Sequence, residues 1–259
     1  MPTRRSGAPG QVVGRATVAP IEHSVLVCQD ERWHRATGLS YDAVAAKYDA
    51  AIGKELGGKP LDRALLAVLV EHSDGGLIAD LGCGPGHVGA YLRALGASVV
   101  GIDLSREMCA LARRRQVPAA TADLVALPVA NGRLAGLVCL YATIHLEARE
   151  RTVAFQEMRR VLAPGGWALV AFHTGDAGAR SGDERHFTNW FDLDVDLVFR
   201  FLDPEAEVAT ALLAGLVTTA RLDRQPVADE HASHRTYLLL ERSPSESSVD
   251  ATTTATVPG

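Results

Sequence analysis

A glycine-rich turn in the first half of the chain contains the residues with the clearest chemical potential. The segment DLGCGPG places Asp80 directly before glycines at positions 82, 84 and 86. Glycines let the backbone turn tightly and approach a ligand closely, and a helix that follows offers unpaired N–H groups. Asp103 ends the next apolar segment, where a carboxylate can accept hydrogen bonds from both hydroxyls of a ribose. Together these features predict a site for a nucleoside-containing cofactor.

Three histidines are candidates for accepting a proton from a second substrate. His145 follows the fourth predicted strand, His173 ends the fifth, and His186 lies in the segment after it. Ligands of open α/β sheets bind at the carboxyl ends of the strands, which favours the first two positions. His145 is therefore the leading candidate for a general base, although a lone histidine is more often structural.

Other catalytic patterns are missing from the sequence. His231 and His234 lack further ligands at metal-binding spacing, and the alternating aspartates at 192, 194 and 196 lack the glycine and glutamate of a calcium loop. No metal is expected. GxSxG and P-loop patterns are also missing, so neither hydrolase nor phosphoryl-transfer chemistry is supported.

The elements that must position these residues alternate between strand-like and helical patterns. This alternation is typical of βαβ units, and a period-two pattern at residues 193–201 predicts a small cap segment after strand five. We therefore expect an α/β, Rossmann-like fold with a seven-stranded, mostly parallel sheet and helices on both faces. The predicted strands cover residues 77–81, 98–102, 117–120, 136–141, 167–172, 216–222 and 236–240.

The two ends of the chain differ in composition from the middle. Residues 1–40 predict a loosely ordered extension with at most a short helix near residues 31–36. Residues 243–259 are rich in Ser and Thr, so burial cannot offset the entropy of ordering them, and a disordered tail is expected. The folded domain is predicted to cover residues 41–242.

Composition limits the partners and the compartment. The net charge of −5, without a basic stripe, disfavours a nucleic-acid partner. The four cysteines form no CxxC pair and suit a reducing cytoplasm, and no apolar segment predicts secretion or a membrane span. We expect a cytoplasmic protein, monomeric or homodimeric, with a small-molecule substrate.

In this combination of motifs the chain resembles the class I methyltransferases that use S-adenosyl-L-methionine (SAM), specifically the small-molecule (type 11/25) group. The resemblance is firm over residues 41–173 and weaker beyond them. The motifs that carry it are YDAVAAKYD at 41–49, DLGCGPG at 80–86, GIDLS at 101–105, ADLVALP at 122–128, His145-Leu146, and EMRRVLAPGG at 157–166.

The resemblance implies a role for each cofactor-side residue. Asp80 would hold the amino group of the methionine moiety, and Asp103 would bind the ribose. Met108 would pack on the adenine, while Asp123 and the Leu124 amide would bind its edge. Backbone or apolar contacts are implied for Gly82, Cys83, Gly84, Gly86 and Leu104.

The resemblance also implies which residues lie near the transferred methyl group. Tyr41 and Tyr48 would form a lid on an N-terminal helix, although their spacing also fits ordinary core contacts on one helical face. Tyr141 would lie near the sulfonium, with His145 facing the acceptor.

The implied activity is methyl transfer to an oxygen, nitrogen or carbon of a small molecule, with secondary metabolism as one expected setting. Two alternatives remain open. A catalytically silent SAM-binding scaffold would keep the same cofactor residues. An NAD-dependent oxidoreductase would instead prefer G-x-G-x-x-G, whereas here the third glycine comes one residue early and position 87 is His.

Overall fold

The structure is a computed structural model that describes residues 23–227 and 230–243, with side chains described from Trp33 onward. The first 22 residues of the predicted extension, and the predicted tail from residue 244, lie outside the described residues.

Six helices and nine strands make up the described chain, with short 3-10 turns at Glu55–Gly58 and Thr143–His145. The helices are α1 (His23–Ile52), α2 (Pro60–His72), α3 (His87–Ala94), α4 (Arg106–Arg114), α5 (Ala148–Val161) and α6 (Pro204–Leu213). The strands are β1 (Leu77–Leu81), β2 (Ser98–Asp103), β3 (Ala119–Thr121), β4 (Leu134–Leu140), β5 (Leu162–Asp176), β6 (Glu184–Trp190), β7 (Leu193–Arg200), β8 (Leu216–Arg224) and β9 (Ser233–Arg242).

Seven of the strands form one sheet in the order β3-β2-β1-β4-β5-β9-β8. The pairs from β3 to β5 are parallel, and β9 runs antiparallel to both of its neighbours. The strand order reverses between β1 and β4, so the loops after their carboxyl ends diverge and leave a crevice. The predicted seven-stranded, mostly parallel sheet is confirmed.

Helices cover both faces of the sheet because its central strands are apolar on both sides. Alternate residues point to opposite faces: Ile78 packs with α2 and α3, whereas Ala79 packs with α5 and α6. Phe155 of α5 and Leu66 of α2 are fully buried on the two sides. Helix α2 is absent from the sequence-based prediction, although Pro60 lies at its first position, where proline is favoured.

The main departure from the predicted fold is the length of α1, which begins at His23 and not near residue 41. The residues predicted to form a short helix at 31–36 belong to this long helix. It packs against the antiparallel pair β6–β7, which is the predicted cap segment. The Ser40 hydroxyl bonds with both the N–H (2.8 Å) and the C=O (3.3 Å) of Asp196 in β7. Tertiary packing thus orders a segment whose composition predicts a loose extension.

Strand β5 also differs from the prediction. It begins at Leu162, directly after α5, and continues to Asp176, well beyond the predicted range of 167–172. Pro164-Gly165-Gly166 therefore lies within an irregular start of the strand. No helix in the described ranges is long and apolar enough to cross a membrane.

Candidate active site

The glycine-rich turn joins β1 to α3 and forms one side of the site. Gly82 and Gly84 both have positive φ values, +66° and +51°. A Cβ at position 82 would lie 2.4 Å from the Ala142 Cβ, so only glycine fits between the loops after β1 and β4. Gly86 instead allows close packing of the turn on α4, because a Cβ there would lie 2.6 Å from the Ala112 Cα. The turn is held by helix packing on one side and remains open to a ligand on the other.

Asp103 lies at the carboxyl end of β2, where its carboxylate ties the turn to the next helix. One oxygen accepts the Gly84 N–H and the other the Ser105 N–H, both at 2.8 Å. Burial raises the pKa of Asp103 to about 6, although these N–H donors oppose the shift. Each carboxylate oxygen has two lone pairs, so both can accept a further hydrogen bond from a ligand.

Asp80 lies deeper than the sequence-based interpretation implies. It is 3% exposed and does not line the cavity, and its Oδ2 lies 3.3 Å from the position of a Cβ on Gly89, in the first turn of α3. Burial raises its pKa to about 7. Oδ2 has no hydrogen-bond partner among the described residues. Such an oxygen retains the capacity to accept a bond from a cationic group, which would also favour the ionised carboxylate.

A cavity of about 100 Å³ lies between this turn and α1. It brings together most of the predicted cofactor residues. Cys83 does not line it, because its side chain is buried against Gly101 of β2. The predicted residues in the wall are Tyr41, Tyr48, Gly82, Gly84, Asp103, Leu104, Met108, Asp123, Leu124, Tyr141 and His145.

Three further lining residues, Trp33, His34 and Thr37, lie in the segment predicted to be a loose extension. Their spacing with Tyr41 and Tyr48 follows the i, i+3, i+4 pattern of one helical face, which is the signal that identifies them. This cavity is smaller than the roughly 300 Å³ that a drug-sized ligand usually needs. Entry of such a ligand therefore requires movement of α1 side chains, or continuity with a second cavity that is described below.

His34 bridges two carboxylates from the loop after β3 and from α5. Its Nδ1 contacts Asp123 and its Nε2 lies 2.7 Å from Glu150 Oε1. The bonds to Asp123 and Glu150 raise the pKa of His34 to about 10, so the ring is a cation near neutral pH. Asp123, the residue implied for the adenine edge, is thus already held by α1.

His145 lies in the 3-10 turn after β4 and is 8% exposed. Its Nδ1 is 3.0 Å from the Val198 carbonyl and therefore carries the proton, so Nε2 accepts the Tyr41 hydroxyl at 2.8 Å. Burial, assisted by the charge of Arg200, lowers the pKa of His145 to about 4. The ring is neutral, and both nitrogens are used in joining α1 to β7.

Tyr141 directly follows β4 and has a φ of +61°, an uncommon conformation for a residue with a side chain. Its hydroxyl bonds with the Tyr237 hydroxyl at 2.9 Å, and its ring stacks on His173 at 4.6 Å between centroids. Tyr141 lines the cofactor-side cavity and a second cavity of about 390 Å³. It therefore lies where the two spaces meet.

The second cavity is enclosed by α1, the β6–β7 hairpin and the start of β9, and His173 lies in its wall. His186 does not line it and forms a 2.6 Å bond with Asp196 at the surface. Within the described residues no three His, Cys, Asp or Glu side chains are grouped to hold a metal ion. The walls combine apolar and charged groups: Phe187, Trp190, Phe199 and Phe201 with Lys59, Arg185, Arg200 and Arg235.

Comparisons with known proteins match the sheet and the turn described above. A family model for a methyltransferase domain matches residues 78–166. A tRNA (carboxymethyluridine(34)-5-O)-methyltransferase of Mus musculus is 35% identical over 97 residues, which is 37% of this chain and 14% of that enzyme. A malonyl-[acyl-carrier protein] O-methyltransferase of Pseudescherichia vulneris is 31% identical over 148 residues, 56% of this chain and 55% of that one. This chain thus spans only part of the length of each.

Among solved structures, the DhpI–SAH complex superposes with a TM-score of 0.63 at 19% identity, covering 82% of this chain and 98% of that chain. At this identity the likeness concerns the fold. The family match adds the motif region, from β1 through the turn and on to the start of β5. Residues 78–166 therefore match a methyltransferase domain, and this match and the shared fold together support a class I SAM-dependent methyltransferase.

Proposed function

We propose that this protein binds SAM in the cofactor-side cavity and transfers its methyl group to a small molecule in the second cavity. The observation that carries the proposal is the meeting of the two cavities at Tyr141. A displacement at a sulfonium needs donor and acceptor aligned in a dry site, and two adjoining spaces supply that arrangement. The DhpI–SAH complex and the methyltransferase relatives support this choice of cofactor.

The residues present fit such a cofactor. SAM, when bound, supplies an activated methyl group. Asp103 accepts the ribose hydroxyls on its free lone pairs, while Gly82 and Gly84 let the backbone pass close to the methionine part. Asp80 lies behind the turn and outside the cavity, so its buried Oδ2 would meet a cationic amino group only if the turn moves. Met108 and Leu124 supply apolar contact on the adenine side.

His145 acts in this proposal as a positioning residue. Its neutral ring links the Tyr41 hydroxyl to the Val198 carbonyl, which holds α1 over the site. A general base works best with a pKa near the operating pH and with a free lone pair. His145 has a pKa of about 4 and an occupied Nε2, which argues against the role of general base.

The acceptor is proposed to be a small molecule because the second cavity has a volume of about 390 Å³ and the chain carries a net charge of −5. The mouse relative is named as a tRNA enzyme, yet this chain spans only 14% of it. A phosphate backbone would need a basic face, and the cations of this site lie inside a cavity.

The test is formation of S-adenosylhomocysteine (SAH) from SAM when small-molecule fractions are added to the purified protein. We expect SAH to form only with an added acceptor, and to fall strongly in Asp103→Ala. Asp194→Ala, an exposed aspartate of β7, is the matched control and should behave as wild type. Tight SAH binding without turnover on any fraction would favour the silent scaffold instead.

A further inference from the structure

The second cavity has two chemically different sides. The β6–β7 hairpin contributes aromatic rings, including Phe187, Trp190 and Phe199. The opposite side contains Lys59, which lies between the 3-10 turn and α2, and Arg235 of β9. An acceptor that matches both sides has an apolar body and an anionic end.

Lys59 and Arg235 are unusually buried for cations, at 7% and 2% exposure. Lys59 lies 2.8 Å from Glu55, and Arg235 lies 2.8 Å from Glu230. The Nε of Arg235 is also buried and has no partner among the described residues. A buried guanidinium with an unused donor is costly unless a ligand completes its bonding.

The charges that line the cavity favour an anion. Four cations and two carboxylates, Glu55 and Glu230, form its walls. Arg200 pairs at 3.3 Å with Glu184, but that carboxylate is 61% exposed and lies outside the lining. Arg185 also bonds with both oxygens of Asp176, at 2.6 and 2.8 Å, and Asp176 too lies outside the lining. The positive excess is therefore that of the lining residues alone, and low-dielectric walls strengthen their attraction for an anion.

The cationic end lies at the junction of the two cavities. The Lys59 Nζ is 5.8 Å from the centroid of the Tyr141 ring, and the Arg235 Cζ is 5.9 Å from it. Tyr141 is shared with the cofactor-side cavity. An anion held by Lys59 and Arg235 therefore lies next to the proposed methyl donor and not at the far end of the acceptor.

The histidines close to Tyr141 are poorly suited to take a proton from a hydroxyl acceptor. His145 uses both ring nitrogens, and the Nδ1 of His173 is bonded to Ser233 at 2.7 Å. Burial, with the charge of Arg235 next in size, lowers the pKa of His173 to about 3. His231 also lines the cavity but is exposed.

The two carboxylates in the wall are equally poor bases. Burial alone would raise the pKa of Glu55, but its bonds with His87 and Lys59 lower it to about 2. Burial would likewise raise the pKa of Glu230, and Arg224 and Arg235 lower it below its usual range. An acceptor that is already anionic near neutral pH needs no such base.

We infer that the acceptor is a carboxylic acid with an apolar body, and that its carboxylate, held by Lys59 and Arg235 beside Tyr141, receives the methyl group. This inference rests on the proposed function. A carboxylate oxygen forms a bond to the methyl carbon as the carbon–sulfur bond breaks, and that electron pair stays on sulfur. The products are a methyl ester and SAH, and no proton is released.

The charges predict how Lys59 contributes. Carboxylate and sulfonium charges neutralise one another during the reaction, so a neighbouring cation stabilises the bound acid more than the transition state. Lys59 therefore places the acceptor without accelerating the step. Lys59→Met should raise KM for the acid about tenfold or more, while kcat stays the same or rises.

The experiment is calorimetric titration of the SAH-loaded protein with trans-cinnamate and decanoate, each compared with its neutral amide. We expect at least one acid to bind about tenfold or more tightly than its amide, and Lys59→Met to remove that preference. Lys54→Met, an exposed lysine five residues away, is the matched control and should keep it. Incubation with SAM should then give a product that releases methanol in alkali.

Two results would overturn the inference. One is SAH binding with no preference for either acid over its amide in the wild-type protein. The other is methylation of a bound acid at a site that alkali does not cleave. SAH affinity in Lys59→Met serves as the folding check, since Lys59 does not line the cofactor-side cavity. Failure of the wild-type protein to bind SAH would instead refute the proposed function.

Discussion

Replacing His145 with glutamine tests whether this ring is held neutral between α1 and β7. Burial lowers the pKa of His145 to about 4, below the 6.5 of an unfolded histidine. The unfolded chain therefore binds more protons between pH 6.5 and 4, and the stability that depends on the neutral ring is lost as pH falls through this window. Each pH unit removes about 1.4 kcal/mol, so about 2 kcal/mol is lost by pH 5.

His145→Gln does not share this loss. At pH 7.5 the variant should be less stable than wild type by about 2–4 kcal/mol, because the Tyr41 hydroxyl and the Val198 carbonyl lose their buried partner. At pH 5 the difference should shrink by about 2 kcal/mol.

Urea unfolding at several pH values between 5 and 7.5 measures the effect. The control is His186→Gln, which removes an imidazole that is 54% exposed and lies outside both cavities. A His145→Gln difference that is constant across this range would show that the ring is not held neutral, and the argument against a general base would lose its support.

Three further predictions address α1, the turn and the partner class. His34→Gln should lower the free energy of unfolding by about 1–3 kcal/mol at pH 7. Because bonding raises the folded pKa of His34 to about 10, the difference from wild type should fade as pH rises from 6.5 towards 10; a difference that grows, measured by urea unfolding, would contradict the bridge. Gly82→Ala should destabilise the protein and weaken SAH binding more than Gly96→Ala does, because both glycines have a positive φ but only a Cβ at position 82 would meet a neighbouring Cβ. Equal melting temperatures of the two variants would remove the steric argument. Transfer RNA should show no submicromolar, salt-dependent binding in filter assays near physiological ionic strength, and such binding would overturn the small-molecule assignment.

The sequence predicts the sheet and the cofactor turn well because local chemistry dictates them. Apolar runs bounded by glycine and by Asp103 set the strands and their carboxyl ends, and a parallel sheet brings those ends together. Residues from Leu77 to Val161 follow the predicted order of elements.

The helix over the site is less predictable because tertiary contacts stabilise it. The segment before Tyr41 shows helical spacing only at a few positions. In the structure Ser40 bonds with the backbone of β7, and His34 bridges carboxylates from two distant elements. Such long-range pairs cannot be read from spacing along one helix. They also explain why Asp123, implied for the adenine edge, meets α1 in the structure.

The burial of Asp80 and Cys83 likewise depends on packing. Alternation along β1 places Asp80 on the same face of the sheet as Ile78, but only the approach of α3 covers its carboxylate. The second cavity is a further consequence of the hairpin and of α1, whose mutual position no motif encodes.

Calorimetric titration of the purified protein with SAH tests the central claim most directly. The wild-type protein and Asp194→Ala should bind one equivalent, and NAD should not bind. Asp103→Ala should weaken SAH binding by about 1–3 kcal/mol, because its charged hydrogen bonds to the ribose hydroxyls are lost. An SAH affinity that is the same in Asp103→Ala as in wild type, or no SAH binding by the wild-type protein, would contradict the assignment of this cavity as the SAM site.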